Sequence, residues 1–429
     1  MTRRVAPLVP LLLLALVPVA HGATQPSVRV DFAKSVEVAP LVGFTRGMDL
    51  SKPADVRIAP LRPMLWRGKF IDLPLGRVNG LGGRYVLVLS DRWGYAPRRP
   101  PYTEWKRWED FVRKAARSNR SRNVVWDIWN EPDTHYFWPG TRNQYFKTYQ
   151  IAERILRQEL GPNVVVSGPS TFSFRADWVS GLLEWCRTHG CQVNALAWHE
   201  LGGSIPSVYD HLRYANTVSA EARHARARVK EVQVTEATHE SDQYRPGEAI
   251  AMWRYLEAGG ADAAARACWE AADGSSNCYN QSLGGLLDPR SSQPRSVWWA
   301  TKAYADGSGT RRLTRSSGSM VAGLGSATSD RERTAQLLIA HFERRPATTA
   351  YRDAVDVDVT LRSLERLSWL KGKRSARISL ERFPDTGEAV LARPHGRRAS
   401  SVRIEDGKAR LRLHGVRRHE AFRILVSAP

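Results

Sequence analysis

Between residues 40 and 305, short apolar runs alternate with longer stretches of helical periodicity. No other feature restricts the possible folds as much. Parallel strands need a crossover long enough to hold a helix, whereas antiparallel strands need only a turn. The alternation therefore predicts parallel β/α units. Eight strand candidates can be marked: Leu41–Phe44, Met64–Arg67, Tyr85–Leu89, Asn123–Trp129, Asn163–Val166, Val193–Trp198, Val232–Thr235 and Ala264–Trp269. The clearest helical patterns are Tyr102–Ser118, Thr141–Leu160, Ala176–His189, Ser207–Arg226 and Gly247–Ala258, and Ser296–Ala305 closes the series. The first two helices read as short, with Pro53 and Pro60 breaking one of them. Eight such units in this length match a (β/α)8, or TIM, barrel.

After Ala305 the pattern changes. Gly307-Ser308-Gly309 and Ser316–Ser319 read as linker and loop. Short strands then follow without long helices: Ala335–Phe342, Val355–Leu361, Ala376–Leu380, Ala389–Ala392, Ser401–Glu405, Lys408–Leu413 and Ala421–Val426. This pattern predicts an accessory all-β domain of the β-sandwich kind. The alternating run Val28–Phe32 fits one more strand, expected to join that domain. The expected division is a signal peptide (1–22), an N-terminal strand segment (23–39), an α/β barrel (40–305) and a C-terminal β-sandwich (306–429). A chain of 429 residues is comfortable for such a build.

The N-terminus has the form of a secretory signal. Arg3 and Arg4 precede the apolar run Leu11–Val19, and Ala20-His21-Gly22 has the small-x-small shape of a cleavage site. That run is too short for a membrane span, so the mature chain is expected to be soluble and secreted or periplasmic. The four cysteines fall into two local groups, Cys186/Cys191 and Cys268/Cys278. Three connectivities are open, local pairing being the simplest, and an oxidising compartment would permit it. Their spacing does not resemble a zinc site. The net charge of +21 would attract polyanions. No Lys/Arg-rich run interleaved with aromatics is visible, so nucleic acid is not the expected partner. An acidic polysaccharide or an anionic cell surface is. A monomer is expected, with no cofactor or metal.

Polar residues placed on the predicted strand ends converge on one rim. Arg67 ends the second strand. Asn130 and Glu131 end the fourth, inside Trp126-Asp127-Ile128-Trp129-Asn130-Glu131-Pro132-Asp133, where the proline stops the strand. His199 and Glu200 end the sixth, Glu236 the seventh, and Trp269 and Glu270 the eighth. Two carboxylates facing each other across a pocket are what retaining glycoside hydrolysis requires. One must be protonated to serve the leaving oxygen, and the other ionised to attack the anomeric carbon. Glu231 and Glu240 are alternatives to Glu236, although Glu231 begins its strand and Glu240 lies beyond the tip. With 15 tryptophans in the chain, Trp269, Trp138 and Trp93 are candidate sugar-stacking platforms over the rim.

These residues resemble the clan A glycoside hydrolases, and family 39 most of all. Glu131 in Trp-Asn-Glu-Pro-Asp matches the clan's acid/base, and Glu236 in Val-Thr-Glu-Ala matches its nucleophile. The resemblance implies that Asn130 contacts the substrate 2-hydroxyl. It also implies that His199 lies near the nucleophile and that Arg67 keeps the nucleophile ionised. Leu201 stands where the family often carries a tyrosine, and the first two barrel units are shortened. The expected activity is endo-cleavage of a bacterial exopolysaccharide. The alternatives are an exo-acting β-xylosidase or α-L-iduronidase-like glycosidase, or a non-catalytic polysaccharide binder.

Overall fold

A computed structural model describes residues 25–38, 40–69, 75–95, 99–120, 124–270, 274–318, 320–327, 333–343 and 353–429. The signal-like segment 1–22 lies outside the described residues. Strand β1 (Ser27–Ser35) comes first and belongs to the C-terminal sheet. Eight parallel strands then close a barrel in sequence order. They are β2 (Gly43–Thr45), β3 (Leu65–Gly68), β4 (Arg84–Val88), β5 (Val124–Asp127), β6 (Val165–Thr171), β7 (Ala195–Glu200), β8 (Glu231–Ala237) and β9 (Ala263–Arg266).

All eight predicted strands are present, with shifted ends. β5 stops at Asp127, short of the predicted Trp129, and β9 stops at Arg266 rather than Trp269. Trp269 therefore sits on the loop above the barrel. The main helices are amphipathic and bury their apolar faces against the strands. In the helix Arg142–Leu160, for example, Tyr145, Phe146, Tyr149, Ala152, Ile155 and Leu156 face inward. This helix starts with a capping box, in which the Thr141 hydroxyl accepts from the Gln144 amide and the Gln144 side chain accepts from the Thr141 amide.

The C-terminal strands are β10 (Arg311–Ser317), β11 (Val321–Ala327), β12 (Ala335–His341), β13 (Ala354–Arg362), β14 (Ser375–Phe383), β15 (His395–Arg403), β16 (Ala409–Arg417) and β17 (Ala421–Ser427). With β1 they form one nine-stranded sheet, in the order β15-β14-β17-β12-β11-β10-β1-β13-β16. The all-β domain is thus a single sheet curled over its own core. Val28 and Val30 of β1, Leu337 and Ile339 of β12, Val357 and Val359 of β13, and Ile424 of β17 share that core. β1 runs antiparallel to β10 and parallel to β13.

Two expectations need correction. Ser316 and Ser317, read as loop, end strand β10. β10 and β11 escaped notice because β11 (Val-Ala-Gly-Leu-Gly-Ser-Ala) is built largely from small residues. The reason is close packing: a Cβ on Gly323 would lie 2.4 Å from Val28 Cγ1, and one on Gly325 would lie 2.3 Å from Val30 Cγ2. Ala389–Ala392, read as a strand, is loop. Val390 makes only an isolated bridge to Arg295.

The barrel and the sheet meet through a buried ion pair. Arg311 Nε donates to both Glu257 oxygens, at 2.9 and 3.0 Å, and its guanidinium lies over the Tyr304 ring at 4.5 Å. Removing one partner of such a pair strands the other charge in the interior. Arg311→Met should therefore lower unfolding stability by roughly 3–5 kcal/mol, seen as a drop in the urea midpoint. A midpoint within error of wild type would show that the pair does not stabilise the junction.

Candidate active site

Two irregularities at the barrel's upper end aim the site. Glu131 follows β5 with φ 46°, a left-handed conformation that a side chain rarely adopts without support. The support is local: the Glu131 amide donates to the Ser170 carbonyl at 2.9 Å, and the Thr134 amide donates to the Glu131 carbonyl at 3.1 Å. At Glu236 the ladder slips in register against both β7 and β9, and a bulge re-aims side chains at a strand tip. As a result, Glu236 is paired across the ladder with His199.

Arg67 connects these elements. Its Nε and Nη2 donate to Asp127 Oδ2 at 3.0 and 2.8 Å. Nη2 also donates to Asn130 Oδ1 at 2.9 Å, and Nη1 donates to Glu236 Oε1 at 2.6 Å. Asp127 is fully buried, and its other oxygen accepts from the Ser170 hydroxyl at 2.8 Å. Asn130 lines the pocket with its side-chain oxygen held by Arg67.

His199 is wholly buried, and its Nδ1 lies 2.9 Å from Glu131 Oε1. One ligand atom from each of Glu131, His199 and Glu236 lies within 4.8 Å of the others. Three such groups could hold a cation, but Arg67 already supplies positive charge at Glu236. The same compactness brings the two carboxylates to short range across the pocket.

Burial raises the Glu131 carboxyl to about 7, with Asp91 adding to the rise and Arg67 opposing it. Burial also raises Glu236, and there Glu131 adds to the effect while His199 and Arg67 oppose it. His199 is pushed down to about 4, mainly by burial, so its ring is neutral at neutral pH. A neutral imidazole can hold Glu131 in place without fixing its charge.

The pocket has a volume of about 460 Å³. Glu131, Glu236, Asn130, Arg67 and Trp269 line it, and the cavity reaches the disulfide Cys268–Cys278. The second disulfide is Cys186–Cys191. Two of the tryptophan platforms are not in the site. Trp138 is only 2% exposed: it packs edge-on to Trp129 and Tyr102, and its indole nitrogen donates to the Thr141 carbonyl. Trp93, 6% exposed, packs against Trp108 and Phe111 on the outer side of the barrel. In both cases packing wins, because an indole buries more surface in the core than a loop platform would. Glu200 is structural, accepting from the Trp198 indole and pairing with His211.

Other residues lining the pocket were not anticipated. Arg46 forms an ion pair with Asp91 at 2.5 Å and stacks over Tyr279 at 4.9 Å. Tyr136, Phe172 and Tyr279 are exposed aromatics on the pocket wall. The sequence did carry a signal for Asp127, an acid enclosed by Val124, Val125, Trp126, Ile128 and Trp129. A charge inside so apolar a run needs a partner.

Comparison with known proteins agrees with this geometry. The profile of glycosyl hydrolases family 39 matches residues 98–249, which hold Glu131, Asn130 and His199. Over that part of the barrel the chain is similar to family 39. A β-xylosidase from Caldicellulosiruptor saccharolyticus is 27% identical over 108 residues. That stretch is 23% of this chain and 22% of the β-xylosidase, so the match spans about a fifth of that relative's length. Among solved structures, N2152 from Neocallimastix frontalis has a TM-score of 0.77 at 18% identity, covering 94% of this chain and 100% of that one. A GH39 enzyme from Xanthomonas axonopodis pv. citri has a TM-score of 0.64 at 13% identity, covering 97% and 100%. A monomeric β-xylosidase from Caulobacter crescentus CB15 has a TM-score of 0.63 at 15% identity, covering 94% and 99%. At these identities the likeness carries the barrel-plus-sheet fold shared with family 39.

The raised Glu131 carboxyl has a consequence for stability. A carboxyl at about 7 in the folded chain, against 4.5 unfolded, binds its proton more tightly when folded. That contribution is fully present below pH 4.5 and is lost as pH rises through about 7. Relative to Glu131→Gln, the wild type should lose on the order of 3 kcal/mol across this window. Paired urea denaturations at the two ends measure it, and parallel stability profiles would refute the raised carboxyl.

Proposed function

We propose that this chain is a retaining glycoside hydrolase with Glu131 as acid/base and Glu236 as nucleophile. The observation that carries the reading is the approach of the two carboxylates, with ligand oxygens within 4.8 Å of each other. Retaining enzymes hold their carboxyl groups about 5–5.5 Å apart, whereas inverting ones leave about 6.5–9.5 Å for a water. In this reading Glu236 attacks the anomeric carbon while the Glu131 proton passes to the leaving oxygen. The glycosyl ester on Glu236 is then opened by a water whose proton returns to Glu131. Arg67 favours the ionised form of Glu236. The Asn130 amide is placed to donate to a sugar hydroxyl as charge develops.

The substrate reading is an acidic bacterial exopolysaccharide cut internally. Exposed aromatics support it on opposite sides of the carboxylates: Tyr136 and Phe172 follow β5 and β6, and Tyr279 follows β9. Export is supported by the two disulfides and the form of residues 1–22. The barrel region 40–305 would act as the catalytic domain and 306–429 as its accessory. An exo-acting β-xylosidase is the second reading, favoured by the β-xylosidase from Caldicellulosiruptor saccharolyticus.

Turnover should follow a bell in pH. It should fall on the basic side as Glu131 loses its proton near pH 7. It should fall on the acidic side as Glu236 gains one. Glu131→Gln should slow poor leaving groups by about 10²–10⁴-fold, while sparing dinitrophenyl glycosides in the first step. Glu236→Gln should abolish turnover of both. Unchanged rates in both variants would end the enzymatic reading. Early release of monosaccharide alone from an acidic polymer, with no fall in viscosity, would favour the exo reading.

A further inference from the structure

The short helix Leu89–Trp93, which follows β4, separates two cavities. Its Asp91 lines the active-site pocket, while Arg92 and Trp93 line a second cavity of about 320 Å³ on the outer side. That volume falls within the range of small-ligand sites, roughly 300–1,000 Å³. The opposite wall comes from the helix Trp105–Arg117. Arg107, Phe111 and Lys114 fall at helical spacing and so share one face.

The cavity has an apolar floor and cationic walls. Trp93 and Phe111 pack edge-on with ring centroids 5.2 Å apart. The Arg107 guanidinium stands 5.3 Å from the Trp93 ring. Among the described lining residues, Arg99, Arg107 and Lys114 face one carboxylate, Asp110, which pairs with Lys106 at 2.5 Å. Arg99 and Arg107 both reach Glu104, each at 3.2 Å, so two cations share one acid. The wall therefore keeps a net positive charge, beside the partly buried ring of Phe111, which is left for the apolar face of a sugar.

We propose that this cavity is a second binding site for an anionic sugar segment of a polysaccharide, next to the active-site pocket across the helix Leu89–Trp93. The choice of a polysaccharide over another polyanion rests on the glycoside hydrolase reading, while the anion binding itself does not. The site would hold an acidic polymer beside the rim without touching the bond that is cut.

The test titrates the full chain calorimetrically with tetragalacturonate and with xylotetraose. Tetragalacturonate should bind the wild type, more weakly as salt rises. Its affinity should fall about tenfold in Arg107→Ala/Lys114→Ala, and in the same direction in Lys114→Glu. Xylotetraose binding and aryl-glycoside turnover should not change, and unaltered thermal melts would verify folding. Equal tetragalacturonate affinity in wild type and variants, or no binding by the wild type, overturns the proposal. So does an oligodeoxythymidylate of equal charge that binds as tightly with the same sensitivity. If Glu131→Gln and Glu236→Gln leave turnover unchanged, the hydrolase reading fails by itself, and the tetragalacturonate titrations still decide the cavity.

Discussion

The ion pair of Arg67 with Asp127 is the constraint on which the rest of the site depends. Both side chains are buried, Asp127 completely. A buried charge pair persists only when its remaining donors and acceptors are also satisfied. Here they are satisfied by catalytic candidates. After two donors go to Asp127, the guanidinium fork still reaches Asn130 and Glu236. One planar group therefore sets the relative positions of the tips of β3, β5 and β8, no two of which are neighbours in the barrel. A lysine at position 67 could not do this, because a single ammonium lacks the fixed fork of donors.

The same pair helps to make the surroundings of two chemically identical glutamates unequal. Burial raises both carboxyls, and Glu131 adds to the rise of Glu236. Their immediate neighbours break the symmetry. Glu236 takes a direct hydrogen bond from Arg67, which favours its anion. Glu131 meets the neutral ring of His199, which accepts either protonation state. The two environments thus favour different forms of the same carboxyl group.

The sequence revealed the barrel because its signal is periodic and repeated. Eight apolar runs separated by helical patterns admit few other folds, and errors of a few residues at the strand ends do not disturb that count. It revealed Glu131 and Glu236 because polar residues that end apolar strands must lie on one rim. The tryptophans could not be assigned in the same way. Trp93, Trp138 and Trp269 look alike in the sequence, and only packing shows that the first two are core and the third lines the pocket. Strand β11 was hidden for the opposite reason. Its glycines answer to valines in β1, almost three hundred residues away, and no local pattern records that contact.

The division between strand tips and loops explains why chemistry is easier to read in this chain than specificity. Strand tips are held by the barrel's hydrogen-bond ladder, so residue type and order determine which groups meet. The surfaces that would face a polymer come from loops and short helices: Tyr136, Phe172, Tyr279 and the wall carrying Arg46. Their positions depend on the conformation of each connection and not on its period. The Cys268–Cys278 bridge limits one of those connections, and the Arg46–Asp91 pair ties β2's exit to the short helix after β4. That helix presents Asp91 to one cavity and Trp93 to another. A change in its packing would therefore be felt at both cavities. Substrate preference in such a chain can change through residues that never approach the glutamates, while the Arg67 fork holds Asn130 and Glu236 in register.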